Sequence, residues 1–146
     1  MSYPKKSLGQ NFLIDKNIIG KILNLFTVKS RDIIEIGPGH GSLTDEIIKL
    51  KPKSLCMIEK DIFLSKKLKQ KYKNYKEVKI YNKDILHFPL EKILKKNSVI
   101  IGNLPYNISS QILVKILRFK KYPPKFSDII FMFQKELGEK IISKRR

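Results

Sequence analysis

The sequence predicts an α/β fold built on a mainly parallel sheet, and three observations lead to that class. Short apolar runs suited to buried strands alternate along the chain with segments of helical periodicity. A glycine-rich turn, Gly37–Gly41, joins the first apolar run to the first helical segment. At 146 residues, 42% of them hydrophobic, the chain is long enough to bury one core. Such alternation is typical of a parallel sheet with helices on both faces.

The first half of the chain supplies four predicted elements. The apolar run Asp32–Ile36 is the first strand, and Leu43–Leu50 is a helix that follows the glycine turn. A second apolar run, Ser54–Ile58, is the second strand, and the lysine-rich segment Ile62–Tyr72 is the second helix.

The second half continues the same alternation. Apolar runs predict strands at Val78–Tyr81, Ser98–Ile101 and Asp128–Phe133. Between the last two lies Gln111–Phe119, a predicted helix whose apolar residues recur at helical spacing. Parallel sheets of this kind bind ligands at the carboxyl ends of their strands. We therefore expect the functional site just after the strand ends Ile36, Ile58, Tyr81 and Ile101.

The turn after the first predicted strand is typical of a nucleotide-binding site. Glycines at Gly37, Gly39 and Gly41 permit positive backbone dihedrals and a close approach of a ligand. The Ser42 hydroxyl is expected to cap the helix that follows. The dinucleotide fingerprint G-x-G-x-x-G would place a glycine where Ser42 stands, so the spacing favours S-adenosylmethionine over NAD.

Acidic residues follow the next two strands. Glu59 is placed to accept both ribose hydroxyls of an adenosine ligand, although a solvated charge at a strand end would give the same pattern. Asp84 is placed to bond the adenine amine of the cofactor, with Ile85 against the ring. A helix-capping role for Asp84 is the alternative.

The fourth strand leads into Gly102–Tyr106, the most specific motif in the chain. Asn103 supplies a side-chain carbonyl, and Pro105 fixes a turn that leaves the Leu104 backbone carbonyl free. Such acceptors can hold the hydrogens of an exocyclic adenine amine, which is otherwise a poor nucleophile. Tyr106 offers an aromatic face on which a flipped base can stack.

Composition narrows the partners. The chain has 31 lysine and arginine residues against 13 acidic residues, which gives a net charge of +18. This charge favours a polyanionic partner such as RNA, although compositional drift toward lysine would also produce it. No apolar run can span a bilayer and no secretory signal is recognised, so no membrane association is expected. The single cysteine, Cys56, fits a reducing cytoplasm. His40 and His87 lack a ligand pattern, so no metal site is predicted.

Together these motifs resemble the small-subunit rRNA adenine N6-dimethyltransferases of the KsgA type. The resemblance runs in the family order over nearly the whole chain. It is carried by segments 9–13, 35–41, 58–59, 84–85, 102–109 and 133–136. It implies a Rossmann-like S-adenosylmethionine-dependent methyltransferase fold, with residues 1–30 as an N-terminal arm and helix of the same domain and residues 31–146 as the catalytic domain.

The resemblance also implies functional roles. Asn11 and Leu13 are expected to contact the methionine part of the cofactor, and Gly37, Glu59, Asp84 and Asn103 are expected to bind the cofactor too. The resemblance further implies two successive methyl transfers to each of two adjacent adenosines near the end of small-subunit rRNA, within a pre-ribosomal particle. We expect a monomer.

One departure from the family is evident. Family members continue past residue 146 with further strands and a helical domain, so we expect these to be absent and an edge strand to be left open. Two alternatives remain. One is a large-subunit rRNA adenine methyltransferase of the antibiotic-resistance type, and the other is a non-catalytic ribosome-assembly factor.

Overall fold

A computed structural model describes residues 15–104 and 109–132, which form a five-stranded, all-parallel sheet with helices on both faces. The strands are β1 (Asp32–Ile36), β2 (Ser54–Ile58), β3 (Val78–Tyr81), β4 (Ser98–Asn103) and β5 (Phe126–Met132). The helices are α1 (Lys16–Leu23), α2 (Ser42–Lys49), α3 (Ile62–Lys71), α4 (Leu90–Ile93) and α5 (Ser109–Leu117). The predicted fold class is confirmed.

The order of the strands in the sheet is β3-β2-β1-β4-β5. The chain moves outward from β1 to β3, then returns to the other side of β1 for β4 and β5. The order therefore reverses between β1 and β4, where Ile36 lies beside Gly102. In doubly wound sheets, ligands bind outside the carboxyl ends of the strands at this reversal.

Two apolar clusters hold the helices to the sheet. On one face, α1, α2 and α3 cover a core that includes Ile19, Ile47 and Leu68. On the other face, α4 and α5 cover a core that includes Leu90 and Ile112. Alternate residues of the central strands point to the two faces, which is why these strands are mostly apolar.

The predicted boundaries differ from the observed ones at several elements. β4 runs on to Asn103, so this residue ends the strand rather than following it. β5 begins at Phe126 because pairing with β4 starts before the apolar run does. α5 lies two residues earlier than predicted, and the four-residue α4 was not predicted.

The two outer strands of the sheet are β3 and β5. Four consecutive apolar residues of β5, Ile129–Met132, are half-buried rather than buried. Among the described residues, no helix is long and apolar enough to cross a membrane.

Candidate functional site

The glycine turn after β1 lies at the carboxyl edge of the sheet. Gly37, Gly39 and Gly41 have φ values of 68°, 61° and 88°, a region that side chains rarely enter. The Gly37 amide donates to the Ile58 carbonyl at 3.0 Å, which ties the turn to the end of β2. The turn is thus built where the sequence predicts it.

The prediction that Ser42 caps α2 is wrong. Gly41 occupies the N-cap position in a left-handed conformation, and α2 begins at Ser42 itself with no side-chain cap. The left-handed turn brings the chain into the helix one residue earlier than a serine cap would require. The N-cap residue therefore provides no side-chain acceptor for the first amides of α2.

Tyr72, which ends α3, supports the turn from behind. Its hydroxyl lies 2.7 Å from a carboxylate oxygen of Asp45 and 3.2 Å from the Gly41 carbonyl, both acceptors. A Cβ on Gly41 would overlap this hydroxyl. Burial and the neighbouring Asp45 carboxylate raise the pKa of Tyr72 well above its usual range, so the hydroxyl stays a donor. Glycine is therefore required at position 41 by both space and dihedral.

Glu35 is a carboxylic acid buried inside the sheet, just ahead of the turn. The Thr44 hydroxyl of α2 donates to it at 2.7 Å. Burial raises the pKa of Glu35 to about 7, against the lowering effect of the Thr44 hydrogen bond and with a further rise from the Glu59 charge. This pair joins β1 to α2 beneath the glycine turn.

Glu59 follows β2 and faces the same turn. One carboxylate oxygen accepts the Gly39 amide at 3.1 Å, and the other accepts the Asp61 amide at 2.9 Å. The residue is only 6% exposed, and this burial raises its pKa despite the backbone hydrogen bonds that favour the charged form. Glu59 is therefore a fixed acceptor beside the turn rather than a solvated charge at a strand end.

Asp84 and Ile85 follow β3. An Asp84 carboxylate oxygen accepts the Leu86 amide at 3.0 Å, and the Lys60 ammonium lies 3.4 Å from the other oxygen. Partial burial acts to raise the pKa of Asp84, but these two contacts outweigh it and lower the pKa. Ile85 is buried in the core under α4 and α5. Asp84 thus caps a turn here, at the same edge of the sheet as Glu59.

Asn103 ends β4 on the other side of the reversal point. It is half-buried, and Leu104 after it is buried. Gly102 packs against β1 so closely that a Cβ there would lie 2.6 Å from the Ile36 carbonyl oxygen. The absence of a side chain at 102 lets the Asn103 end of β4 lie directly beside the glycine turn.

The fold brings Gly37, Gly39, Glu59, Asp84 and Asn103 to one edge of the sheet, as predicted. Four other predicted site residues lie outside the described residues: Asn11, Leu13, Pro105 and Tyr106. Among the residues that the structure describes, no group of three metal-ligating side chains occurs.

Three contributors to this edge were not predicted. The Glu35–Thr44 pair was missed, although an acid inside an otherwise apolar strand is a signal that could have revealed it. The Asn82 amide donates to the backbone carbonyls of Glu59 at 2.9 Å and Lys60 at 3.1 Å, and so fixes the end of β2. An asparagine directly after a strand is the available signal there.

Known proteins of one family are similar to this chain in sequence. The family model described as ribosomal RNA adenine dimethylase matches residues 1–146. Ribosomal RNA small subunit methyltransferase A of Pelagibacter ubique is 45% identical over 139 residues, covering 95% of this chain and 52% of the relative. Its namesake from Mycoplasma mobile is 44% identical over 140 residues, covering 96% and 52%. The chain thus spans about half the length of the curated relatives it matches.

Solved structures share the fold. A dimethyladenosine transferase from Plasmodium falciparum has a TM-score of 0.74 and 30% identity, covering 90% of this chain and 46% of that one. The 23S rRNA methyltransferase ErmE has a TM-score of 0.71 and 26% identity, covering 92% and 52%. The resemblance seen in the motifs is confirmed: the chain belongs to the ribosomal RNA adenine dimethylase family.

Proposed function

We propose that this chain supplies the cofactor-binding and catalytic site of an enzyme that dimethylates N6 of two adjacent adenosines near the 3′ end of small-subunit rRNA. The observation that carries the proposal is the convergence of Glu59 and the glycine turn with Asn103 across the strand reversal. Relatives 40–45% identical are named as small-subunit methyltransferases, whereas the large-subunit enzyme ErmE is 26% identical. The small subunit is therefore the favoured target.

The described residues fit S-adenosylmethionine. Each carboxylate oxygen of Glu59 accepts one of the backbone hydrogen bonds given above, and a carboxylate offers about four acceptor positions in all. Lone pairs therefore remain for a ribose diol. The side-chain-free positions Gly37 and Gly39 allow the ligand to approach the backbone. The other proposed cofactor contacts are made by Asp84 and Ile85 and, from the N-terminal arm, by Asn11 and Leu13.

The chemistry required of the protein is orientation of the target amine. S-adenosylmethionine supplies an electrophilic methyl group when bound. The Asn103 side-chain carbonyl and the Leu104 backbone carbonyl would accept the two hydrogens of the adenine N6 amine. Held in this way, the amine would have its lone pair free to accept a methyl group, and the two acceptors would stabilise the positive charge that develops on nitrogen until a proton is lost. Pro105 would fix the turn and Tyr106 would stack on the flipped base.

The proposed partner is small-subunit rRNA in a pre-ribosomal particle, met by a monomer in the cytoplasm. The net charge of +18 supports a phosphate-rich partner, and the single cysteine supports a reducing compartment. The retained Glu59 and Asn103 argue against a purely non-catalytic assembly factor.

The test is methyl transfer to small-subunit particles that lack the modification, with primer extension to locate the methylated adenosines. The parent chain is expected to give stops at two adjacent adenosines. Asn103→Ala is expected to lower the single-turnover rate by about 10²-fold, the scale of losing one preorganised hydrogen-bonding group.

Variants of Tyr106 provide the matched control. Tyr106→Phe retains the stacking face and is expected to keep most of the activity, whereas Tyr106→Ala loses about 1–3 kcal/mol of stacking. Stops confined to large-subunit RNA would favour the antibiotic-resistance type, and absence of methylation by a folded parent would favour the assembly factor.

A further inference from the structure

The outer surface of α3 and the segment that follows it carry an unusual run of lysines. Residues 62–76 contain six lysines and no acidic residue, and all six are exposed: Lys66, Lys67, Lys69, Lys71, Lys73 and Lys76. Lys71 is 2.8 Å from Asp45. Within the part of the chain that the structure describes, the other five make no ion pair.

This arrangement is unfavourable for the helix alone. Within α3, Lys69 lies three residues after Lys66, and like charges at this spacing repel on a helix surface. The opposite face is fixed in the core by Leu64 and Leu68, so the lysines cannot rotate away. A bound polyanion would relieve this repulsion.

Exposed rings flank the lysines. Phe63 is 49% exposed at the start of α3, and Tyr75 is 43% exposed just beyond its end. The Lys67 ammonium lies 4.7 Å from the centroid of the Phe63 ring. Aromatic faces beside cationic groups are the combination that binds single-stranded nucleic acid, because bases stack on the rings while phosphates meet the charges. Rings also occur at protein interfaces, but two exposed rings beside five lysines that form no ion pair with the described residues match the bases and phosphates of RNA better than an acidic protein.

This surface lies on the outside of the sheet, next to the catalytic edge. α3 begins just after Glu59 at the carboxyl edge of the sheet and leads back along the outside toward the start of β3. RNA lying on its outer surface would therefore pass behind the glycine turn, because the Lys71 ammonium is 3.4 Å from the His40 carbonyl oxygen and the Tyr72 hydroxyl is 3.2 Å from the Gly41 carbonyl oxygen. We propose that Phe63, Lys66, Lys67, Lys69, Lys73 and Tyr75, the α3 strip, form a second RNA-binding surface that holds single-stranded RNA flanking the target; this rests on the proposed function.

The test compares two triple variants with equal charge loss. One carries Lys66→Gln, Lys69→Gln and Lys73→Gln. The control carries Lys29→Gln, Lys53→Gln and Lys96→Gln, three exposed lysines before β1, β2 and β4 at the opposite edge of the sheet. The probe is a fluorescein-labelled RNA hairpin with a single-stranded tail, and binding is followed by anisotropy over a range of salt.

The α3 variant is expected to bind the tailed hairpin at least about tenfold more weakly than the parent near 0.15 M salt. Its plot of log affinity against log salt should have a slope shallower by about 2, because three phosphate contacts are lost and each contributes about 0.7. The control should change binding far less. Phe63→Ala should weaken binding about fivefold or more and Phe63→Tyr should not, because only the alanine removes the stacking face. S-adenosylmethionine affinity should be unchanged throughout.

Equal losses in the two triple variants would overturn the α3 strip, because they would show a diffuse charge effect. Failure of the parent to bind the hairpin would overturn it as well. If both triple variants bind like the parent while the parent still methylates its particles, the α3 strip is wrong and the proposed function stands. If the α3 strip binds RNA but no particle is methylated, the proposed function fails alone.

Discussion

Glu35 shows how the fold sets the charge of a single residue. Its pKa is raised from 4.5 to about 7 by burial in β1, so the folded chain binds the proton more tightly than the unfolded chain does. The stability linked to this proton is therefore complete below pH 4.5, falls as the pH rises toward 7, and is lost above it. The difference between the two pKa values corresponds to about 3 kcal/mol in the free energy of unfolding.

We expect Glu35→Gln to remove this pH dependence. The free energy of unfolding, measured by urea titration at pH 5, 6, 7 and 8, should decline less steeply in the variant than in the parent. At pH 8 the variant should be the more stable by up to about 3 kcal/mol. Glu46→Gln, at the surface pair with Lys49, is the control and should leave the slope unchanged. Parallel curves for Glu35→Gln and the parent would show that Glu35 does not titrate in this range.

Glu59 is predicted to bind the cofactor ribose. Glu59→Ala should weaken S-adenosylmethionine binding by about 1–3 kcal/mol, the scale of hydrogen bonds to a charged group. Glu77→Ala, before β3 at the far edge of the sheet, is the control and should bind like the parent. Calorimetry measures both, together with NADH, for which no binding is expected. A folded Glu59→Ala variant with parental affinity would remove Glu59 from the site.

The pH dependence of that affinity follows from the same residue. Since burial raises the pKa of Glu59, its carboxylate gains a proton on acidification earlier than an ordinary glutamate does. Cofactor affinity in the parent should therefore fall as the pH drops through this raised pKa.

Residues at strand ends could be predicted because each follows an apolar run that marks the end of a strand. Glu59, Asp84 and Asn103 were located in this way. The Glu35–Thr44 hydrogen bond could not be, because it depends on which side of α2 faces β1. The Ser42 cap was predicted wrongly because a serine before a helix is the usual signal, while the φ of Gly41 decides the actual start.

At the scale of elements, the Tyr72 hydroxyl couples the end of α3 to the start of α2, next to the Lys71–Asp45 ion pair. Gly41→Ala should destabilise the chain by about 2 kcal/mol or more, since alanine at positive φ costs about 1–2 kcal/mol and its Cβ also overlaps Tyr72. Adding Tyr72→Phe removes the overlapping oxygen. Tyr72→Phe should therefore destabilise the Gly41→Ala variant less than it destabilises the parent. Thermal unfolding of the parent, the two single variants and the double variant measures this coupling.

A substitution at Gly20 provides a control that should change stability in the opposite direction. It lies within α1, and a Cβ there would meet nothing within 4 Å. Gly20→Ala should stabilise by about 0.5–1 kcal/mol through helix propensity. If Gly41→Ala were equally harmless, the left-handed N-cap would not be a requirement of the fold.

The strands were easier to predict than the short helices. β1 and β2 match their predicted bounds because most of their residues are apolar and buried on both faces, and the outer strand β3 matches as well although its Lys79 is exposed. α4 has only four residues, too few for a helical period to show. β5 starts at Phe126 because Phe126 pairs with Ser98 and the polar Asp128 pairs with Val99, while Ser127 falls at a register shift between them.

At the scale of the whole molecule, the doubly wound order explains why residues distant in sequence share one site. β1 and β4 are neighbours although about 60 residues separate them, as the reversal of strand order in doubly wound sheets requires. The strands themselves could be predicted from the sequence. Their order could not, since parallel strands carry no local signal of which neighbour they pair with.

The net charge of +18 also acts at this scale, and it leads to the last prediction. If the lysines meet RNA phosphates, each contact releases counterions and contributes about 0.7 to the slope of log affinity against log salt for a single strand. Five contacts would give a slope of about −3.5, so we expect a value steeper than about −3 for ribosomal RNA. S-adenosylmethionine binding, measured over the same salt range, is the control and should change little. A flat plot for RNA would mean that the lysine excess is compositional drift, because charges that touch no phosphate release no counterions.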